Sequence, residues 1–151
     1  MKILDSRYVI AYQFFNEVGI SVLLATTLFY RKLPDGIHGS HFSVLNLLVR
    51  LGDGKTPLEI SRAFQVTKGT ITNTLGELEK RRFVSLAPNP NDGRSKCVFV
   101  TDEGRAFRQN AIASLGPAIA QLSELLDLDK MAELLPEMAR IRAVLDDNRD
   151  V

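Results

Sequence analysis

The residues best suited to intermolecular contacts lie between positions 67 and 80. Ile71, Leu75 and Leu78 recur there at helical spacing, which predicts a helix with one buried stripe. The opposite face displays Gly69, Thr72, Asn73, Gly76 and Lys80, with Thr70 and Glu77 alongside. The positive N-terminal end of the helix dipole favours a phosphate at Thr67 and Lys68. Small residues let a helix approach a groove closely, and threonine and asparagine can bond base edges or phosphate oxygens. We therefore predict that this face binds nucleic acid, the alternative being an ordinary solvated helix face.

A second group with the same chemical capacity lies in the polar stretch from 89 to 96. Arg94 and Lys96, with Ser95 between them, would stand at the far end of a hairpin, where side chains can reach phosphates. Asp92 could hold the Arg94 guanidinium in a fixed orientation for a narrow minor groove. These four residues are predicted to make a second contact with DNA. The alternative is a flexible solvated loop with an incidental ion pair.

The distribution of charge favours a phosphate-binding face in the middle of the chain. The net charge is only +1, and this total says nothing about nucleic acid. Between positions 62 and 96, however, seven basic residues face three acidic ones, a local net charge of +4. From position 101 onward, six basic residues face ten acidic ones, a local net charge of −4. The two parts are therefore expected to present different faces to different partners.

Two capped helices are predicted to position the residues at 67–80. The stretch Thr56-Pro57-Leu58-Glu59 is a capping box, with a hydroxyl cap, proline at the first helical position and glutamate three residues on. Leu58, Ile60 and Ala63 would form the apolar face of this short helix, which would end near 64–65. Thr67 would cap the next helix, from 68 to about 81. Two capped helices joined by a tight link are the helix-turn-helix pattern.

A hairpin and flanking helices complete the predicted fold. Short β-prone runs at 83–86 and 97–100 are joined by a long polar loop at 87–96. Helices are predicted at 5–31, at 39–51, from a cap at Thr101 to about 126, and after a cap at Asp129, with a bend at Pro136. The fold class is thus mainly α with a small β-hairpin wing, a winged helix-turn-helix flanked by N- and C-terminal dimerisation helices.

The flanking helices carry more apolar residues than a short domain buries alone. We expect a single domain at 1–151, with a winged helix-turn-helix DNA-binding region at 39–104 and dimerisation helices at 5–31 and 102–147. The expected partner of these helices is a second copy of the chain. The apolar residues assigned to that interface are Phe14, Phe15, Val18, Val22, Leu23, Leu115, Ile119, Leu122, Leu125, Leu134, Leu135, Met138, Ile141 and Leu145.

The sequence disfavours several other classes of function. Residues 8–30 are apolar enough to span a bilayer, but Glu17 interrupts the run and no clear signal-peptide cleavage site follows, so no membrane partner is expected. The single cysteine, Cys97, cannot form an internal disulfide, which favours a reducing cytoplasm and a packing role. His38 and His41 with Cys97 make a weak zinc pattern, and surface histidines are the simpler interpretation. Motifs of enzymes are missing, so we expect no catalysis, metal or cofactor.

From 42 to 104 the sequence resembles the multiple antibiotic resistance regulator (MarR) family. The resemblance is carried by Thr56-Pro57-Leu58-Glu59-Ile60, Val66-Thr67-Lys68-Gly69-Thr70-Ile71-Thr72, Leu78-Glu79-Lys80-Arg81, Asn89-Pro90-Asn91-Asp92-Gly93-Arg94 and Val100-Thr101-Asp102-Glu103-Gly104. The last two are the most specific, since an Asp-x-Arg wing tip precedes a strand and Thr-x-x-Gly. The resemblance implies a homodimer with intertwined first and last helices that binds pseudo-palindromic double-stranded operator DNA. It also implies repression of transcription, usually until a small-molecule effector or an oxidant releases the DNA.

Four residues depart from the family pattern. Arg82 stands where glycine often ends the recognition helix, so either Arg82 is left-handed or the helix ends differently. Gly76 in mid-helix suggests close approach to another group, His38 replaces a usual hydroxyl cap, and Asn89 replaces a common aspartate. The oxidant-sensing cysteine that some members carry near the start of the first helix has no counterpart here, which disfavours peroxide sensing. The rival function is a winged-helix protein-interaction module that binds no nucleic acid.

Overall fold

The chain is mainly helical, with a two-stranded antiparallel hairpin, which confirms the predicted fold class. The computed structural model describes residues 6–34 and 37–149, so Asp5, predicted to open the first helix, lies outside the described residues. The elements in chain order are α1 (Ser6–Tyr30), α2 (Gly39–Leu51), α3 (Pro57–Phe64), α4 (Lys68–Lys80), β1 (Val84–Asn89), β2 (Asp92–Val100), α5 (Asp102–Ser114), α6 (Gly116–Ser123) and α7 (Leu128–Asp147).

Side-chain caps start the helices of the helix-turn-helix unit, as the sequence predicts. Thr56 and Glu59 form the reciprocal capping box: Thr56 Oγ1 accepts from the Glu59 amide at 3.3 Å, and Glu59 Oε2 accepts from the Thr56 amide at 2.7 Å. The Thr56 amide, together with the Thr56 hydroxyl that donates to Glu59 Oε2 at 2.8 Å, holds the pKa of Glu59 below its usual value. Thr67 Oγ1 accepts from the Thr70 amide at 3.2 Å and starts α4. Between them Gln65, at φ 53°, ends α3 and makes the tight turn.

The core lies where α2, α3, α4 and the hairpin meet. It is made of branched aliphatic residues from all of these elements: Val44, Leu45, Leu47, Leu48, Ile60, Ile71, Leu75, Leu78, Val84, Val98 and Val100. One predicted core residue is misplaced, because Leu58 is 46% exposed. Leu58 precedes Ile60 by two residues, which is about 200° round the helix, so it points away from the side on which Ile60 is fully buried.

The strands of the wing are longer than predicted, and the connection between them is shorter. The loop expected at 87–96 is mostly strand, since Ala87 pairs with Cys97, Pro88 with Lys96 and Asn89 with Asp92. The register shifts between Pro88 and Asn89, and the connection is only two residues long. The prediction of a long polar loop at 87–96 was therefore wrong, because cross-strand pairing extends the strands through residues of low β propensity.

The C-terminal helices also differ from the prediction. Thr101 caps α5 as expected, but the helix ends at Ser114 instead of near 126. Pro117 follows at the first turn of α6, and proline has no amide hydrogen with which to continue the helical bonding. The last helix is capped by Asp127, whose Oδ1 accepts from the Lys130 amide at 3.0 Å, and not by Asp129. Pro136 lies inside this helix, as predicted.

The long flanking helices leave most of their apolar residues exposed. No residue of α1 or α7 is buried in the part of the chain that the structure describes. Leu115 is the exception among the residues assigned to an interface, because it is 7% exposed and packs inside the chain. By length and composition α1 could cross a membrane, but such a helix near an N-terminus is weak evidence by itself.

Candidate nucleic-acid interface

Helix α4 buries one stripe and presents the other face to solvent. Ile71, Leu75 and Leu78 are buried as predicted, and Thr74 joins them, its hydroxyl donating to the Thr70 carbonyl. Every residue assigned to a DNA contact on this helix is exposed: Thr67, Lys68, Gly69, Thr70, Thr72, Asn73 and Lys80. The structure therefore leaves the predicted contact face accessible along the whole helix.

The exposed residues of α4 are not equally available to an external ligand. Thr67 and Thr70 hydrogen bond to each other at 2.9 Å, and the Thr72 hydroxyl donates to the Lys68 carbonyl at 2.9 Å. Lys80 forms an ion pair with Glu77 at 2.7 Å. The hydrogen bond from Lys80 holds the pKa of the Glu77 carboxyl below its usual value. The charge of Lys80 is thus already partly neutralised within the chain.

The wing tip is ordered by side chain to backbone hydrogen bonds. Asn89 Oδ1 accepts from the Asn91 amide at 3.0 Å, which makes the turn an Asx turn. Asn89 Nδ2 also donates to Ser95 Oγ at 2.8 Å, and Ser95 Oγ donates to the Asp92 carbonyl at 3.2 Å. The departure from aspartate at position 89 has a physical reason, since the amide supplies the donor that Ser95 accepts.

Asp92 has a different task from the one predicted. Its Oδ1 accepts from the Arg94 backbone amide at 3.0 Å, whereas the prediction had it orienting the guanidinium. Asp92 therefore fixes the backbone that carries Arg94, because a short side chain two residues away reaches the amide more readily than the end of an arginine. Arg94 and Lys96 are exposed, and neither side chain has an ion-pair partner within residues 6–34 and 37–149.

A groove between α4 and the wing brings the two predicted groups together. Its volume is about 400 Å³, and it is lined by Lys68, Thr72 and Gly76 on the helix side and by Arg94, Ser95 and Lys96 on the wing side. Pro57, Leu75 and Leu86 complete the lining with apolar surface, and Glu79 is its acidic member. Thr67, Gly69, Thr70, Asn73, Lys80 and Asp92 do not line this groove. The site thus has two parts, a cationic groove and the more exposed N-terminal face of α4.

Gly76 sits in this groove without a close neighbour in the chain. A Cβ built on it would find nothing within 4 Å among the residues that the structure describes, so no contact there explains the glycine. The space beside it opens into the groove. The groove therefore leaves room for a bound molecule to come close to the helix at Gly76.

The corner between α4 and the wing is clamped to the start of α5. Arg82 adopts φ 61°, which decides between the two alternatives in favour of the left-handed conformation. Thr101 fixes this corner, its Oγ1 donating to the Arg82 carbonyl at 2.5 Å and its amide to the Phe83 carbonyl at 3.1 Å. A Cβ on Gly104 would lie 2.1 Å from the Phe83 carbonyl oxygen, so the Thr-x-x-Gly motif needs glycine at its end. The motif thus connects the start of α5 to the corner that follows α4.

Asp53 is a residue at the base of the wing that sequence reasoning missed. Its Oδ1 accepts from the Val100 amide at 2.9 Å, and its Oδ2 pairs with Arg105 at 2.8 Å. The available signal was Gly52-Asp53-Gly54, in which both glycines have φ 86°. An aspartate between two such glycines points to a turn, but nothing local names partners 47 and 52 residues away.

The two histidines do not both lie on the surface as predicted. His38 is exposed, but His41 is buried, and its Nδ1 accepts from the His38 amide at 3.2 Å, the bond that the third helical residue makes in a capping box. Burial lowers the pKa of His41, with further contributions from His38 and Arg81. Cys97 is buried, in keeping with a packing role. The part of the chain that the structure describes contains no group of three metal-binding side chains.

Comparison with known proteins places this arrangement in a family. A sequence profile described as MarR family matches residues 35–95, from the approach to α2 into the wing. The multiple antibiotic resistance protein MarR of Escherichia coli is 31% identical over 102 residues, which are 67% of this chain and 70% of that protein.

Solved structures give the same result. The crystal structure of wild-type apo MarR from E. coli superimposes with a TM-score of 0.70 at 26% identity, covering 83% of this chain and 93% of that one. A mutant of the same protein, solved in complex with operator DNA, superimposes with a TM-score of 0.60 at 27% identity, covering 84% of this chain and 96% of that one. The chain belongs to the MarR family of DNA-binding winged-helix transcriptional regulators.

Proposed function

We propose that this chain is a homodimeric repressor that binds a pseudo-palindromic operator in double-stranded DNA. The observation that carries the proposal is the groove in which Lys68, Arg94 and Lys96 converge from two elements beside the exposed face of α4. Three basic residues beside small and hydroxyl-bearing ones suit a phosphate backbone with a groove next to it.

Each predicted site residue has a role in this proposal. Thr67 and Lys68 meet a phosphate at the positive end of the α4 dipole, and Gly69, Thr70, Thr72 and Asn73 face base edges in the major groove. Lys80 approaches the backbone farther along the helix. On the wing, Arg94 and Lys96 reach the adjacent minor groove or its phosphates, while Asp92 and Ser95 hold the turn that carries them.

The second copy of the chain is proposed to cover the apolar residues of α1, α6 and α7. Within one chain, Phe14, Phe15 and Val18 already face Met138, Ile141 and Leu145 across an apolar groove of about 310 Å³. Leu23, Leu134 and Leu135 remain more than half exposed on the same helices. Large contiguous apolar surface of this kind marks a protein interface.

A membrane is the other apolar environment to consider for α1. Glu17 lies in the middle of that helix, where burial in lipid would cost about 3 kcal/mol. If α1 alone entered a membrane, the exposed apolar surface of α7 would still have no partner. We therefore assign 5–31 and 102–147 to dimerisation and 39–104 to DNA, within a single domain in the cytoplasm.

Such a dimer would set its two recognition helices about one helical turn of DNA apart, roughly 34 Å. A small-molecule effector that bound between the DNA-binding and dimerisation parts would change this spacing and release the operator. Repression follows if the operator overlaps a promoter.

Binding to bulk double-stranded DNA at low salt, followed by selection from a random pool, tests the proposal against a protein-interaction module. We expect binding that weakens with salt and selected sites with two-fold symmetry. A chain that fails to bind any DNA at low salt would be a protein-interaction module instead.

The dimer is tested by the mass in solution. Light scattering should give about twice the chain mass of 16.8 kDa. Leu23→Glu, on the 65% exposed face of α1, should give a monomer, whereas Leu51→Glu at the exposed end of α2 should remain dimeric. A monomeric wild-type protein would refute the dimer.

A further inference from the structure

The outer edge of strand β2 is held by the loop between α2 and α3. On one side β2 pairs with β1, and on the other side three backbone groups of β2 find partners in residues 53–55. The Val98 amide donates to the Lys55 carbonyl at 2.8 Å, the Gly54 amide donates to the Val98 carbonyl at 2.9 Å, and Asp53 takes the Val100 amide. The loop therefore acts as a third, very short strand at the base of the wing.

Asp53 adds a second tie at the same place. Val100 is 7% exposed, so its amide is a buried donor that needs a partner, and Asp53 Oδ1 is that partner at 2.9 Å. The other carboxylate oxygen pairs with Arg105 in the first turn of α5 at 2.8 Å. One side chain thus joins the loop before α3, the root of the wing and the helix that leads towards the dimerisation region.

Asp53 contacts the base of the wing, so a small rotation there produces a larger displacement at the wing tip. Arg94 lies six residues from Val100 along β2, which is about 20 Å at roughly 3.3 Å per residue. A rotation of about 10° at the root would then move Arg94 by about 3.5 Å, which is longer than a hydrogen bond. Small changes at Asp53 are thereby enlarged at the cation that the proposed function places on DNA.

We infer that Asp53 is a positioning residue for DNA binding, which sets the angle of the wing against the recognition helix. The inference rests on the proposed function, because it requires Arg94 to touch DNA. It also predicts an effect on DNA affinity that is opposite to the effect expected from net charge alone. Removing an acid makes the chain more positive and should strengthen DNA binding through long-range attraction, whereas loss of the wing angle should weaken it.

A double-mutant cycle tests the inference with the full-length chain and a DNA duplex obtained by selection. Four proteins are compared by fluorescence anisotropy: wild type, Asp53→Ala, Arg94→Ala and the double variant. We expect Asp53→Ala to weaken binding about fivefold in the wild-type background and less than twofold in the Arg94→Ala background. The coupling arises because a misplaced wing and a wing without its arginine lose the same contact.

Two further variants separate positioning from folding and from charge. Asp53→Asn keeps an oxygen for the Val100 amide and removes the charge facing Arg105, so it should fold and show a smaller loss with the same dependence on Arg94. Glu137→Gln makes the matching carboxylate-to-amide change in an arginine pair on α7, and it should not weaken binding. Circular dichroism and thermal melting confirm that each variant is folded at the assay temperature.

The outcomes are distinguishable. If Arg94→Ala leaves binding unchanged, the proposed wing contact fails and the inference falls with it. If Arg94→Ala weakens binding but Asp53→Ala weakens it by the same factor in both backgrounds, the wing contact stands and the inference is overturned. An Asp53→Ala protein that binds as tightly as wild type also overturns it.

Discussion

Replacement of Arg94 by alanine isolates the contribution of the wing to DNA binding. The Arg94 side chain is exposed, while its backbone amide is held by Asp92 Oδ1 at 3.0 Å. That bond does not involve the side chain, so the turn should persist in Arg94→Ala. The variant should therefore melt at the wild-type temperature and lose only what the guanidinium contributes to the complex.

The magnitude follows from counterion release. Each phosphate that a cation neutralises contributes about 0.9 to the slope of log K against log salt, so a dimer that loses two arginines should have a slope lower by about 1.8. Over a fourfold increase in salt, from about 50 to about 200 mM, this difference amounts to roughly a twelvefold change in relative affinity. The defect of Arg94→Ala should therefore be large at low salt and shrink by about that factor at the higher concentration.

The assay is an anisotropy titration of one operator duplex at four salt concentrations. Arg140→Ala is the matched control, because it removes the same charge from an exposed arginine on α7 that pairs with Glu137. We expect the slope for Arg140→Ala to stay close to that of wild type. Equal slopes for Arg94→Ala and wild type would refute the phosphate contact, and equal reductions in Arg94→Ala and Arg140→Ala would reduce the effect to net charge.

Three other substitutions or conditions test separate parts of the structure. Asn73→Ala should relax base preference at one position in each half-site by about tenfold, read by selection from a random pool; uniform weakening of all sequences would instead assign Asn73 to phosphate. Gly104→Ala should lower the free energy of unfolding by about 1–3 kcal/mol, because its Cβ would meet the Phe83 carbonyl, whereas Gly116→Ala has open space and should be close to neutral in the same thermal melts. Burial lowers the pKa of His41, so its contribution to stability should be full above about pH 6.5 and decline as the pH falls towards the folded-state value; a urea midpoint that His41→Gln leaves with the same pH dependence would contradict this.

Features that depend on neighbours within a few residues could be predicted from the sequence. Three helix caps could be predicted because each bonds across only three positions, so the residue types in a short stretch identify it. They are the Thr56 and Glu59 pair, the Thr67 cap and the Thr101 cap. The buried stripe of α4 was equally accessible, because helical spacing alone selects Ile71 and Leu75.

Features that depend on tertiary contacts could not be predicted in the same way. The polar residues from 87 to 96 read as a loop, and only pairing across the hairpin makes strands of them. Leu58 was grouped with Ile60, but two residues are about 200° round a helix, so Leu58 faces away from the core and is exposed. The Asp53 and Arg105 pair spans 52 residues and leaves no local pattern. The hairpin and the Asp53 pair share one cause, which is that the fold and not the neighbouring sequence sets the partner of each residue.

The left-handed conformation of Arg82, just after the recognition helix, lowers the stability of the protein in exchange for one positive charge. A side chain in that conformation costs about 1 kcal/mol or more relative to glycine, and Thr101 holds it there from α5. Glycine at this position would make the protein more heat-resistant, but it would take one cation from the basic surface. A chain that keeps arginine here retains attraction for a polyanion at the expense of thermal tolerance, which is the exchange expected where activity and stability compete at one site.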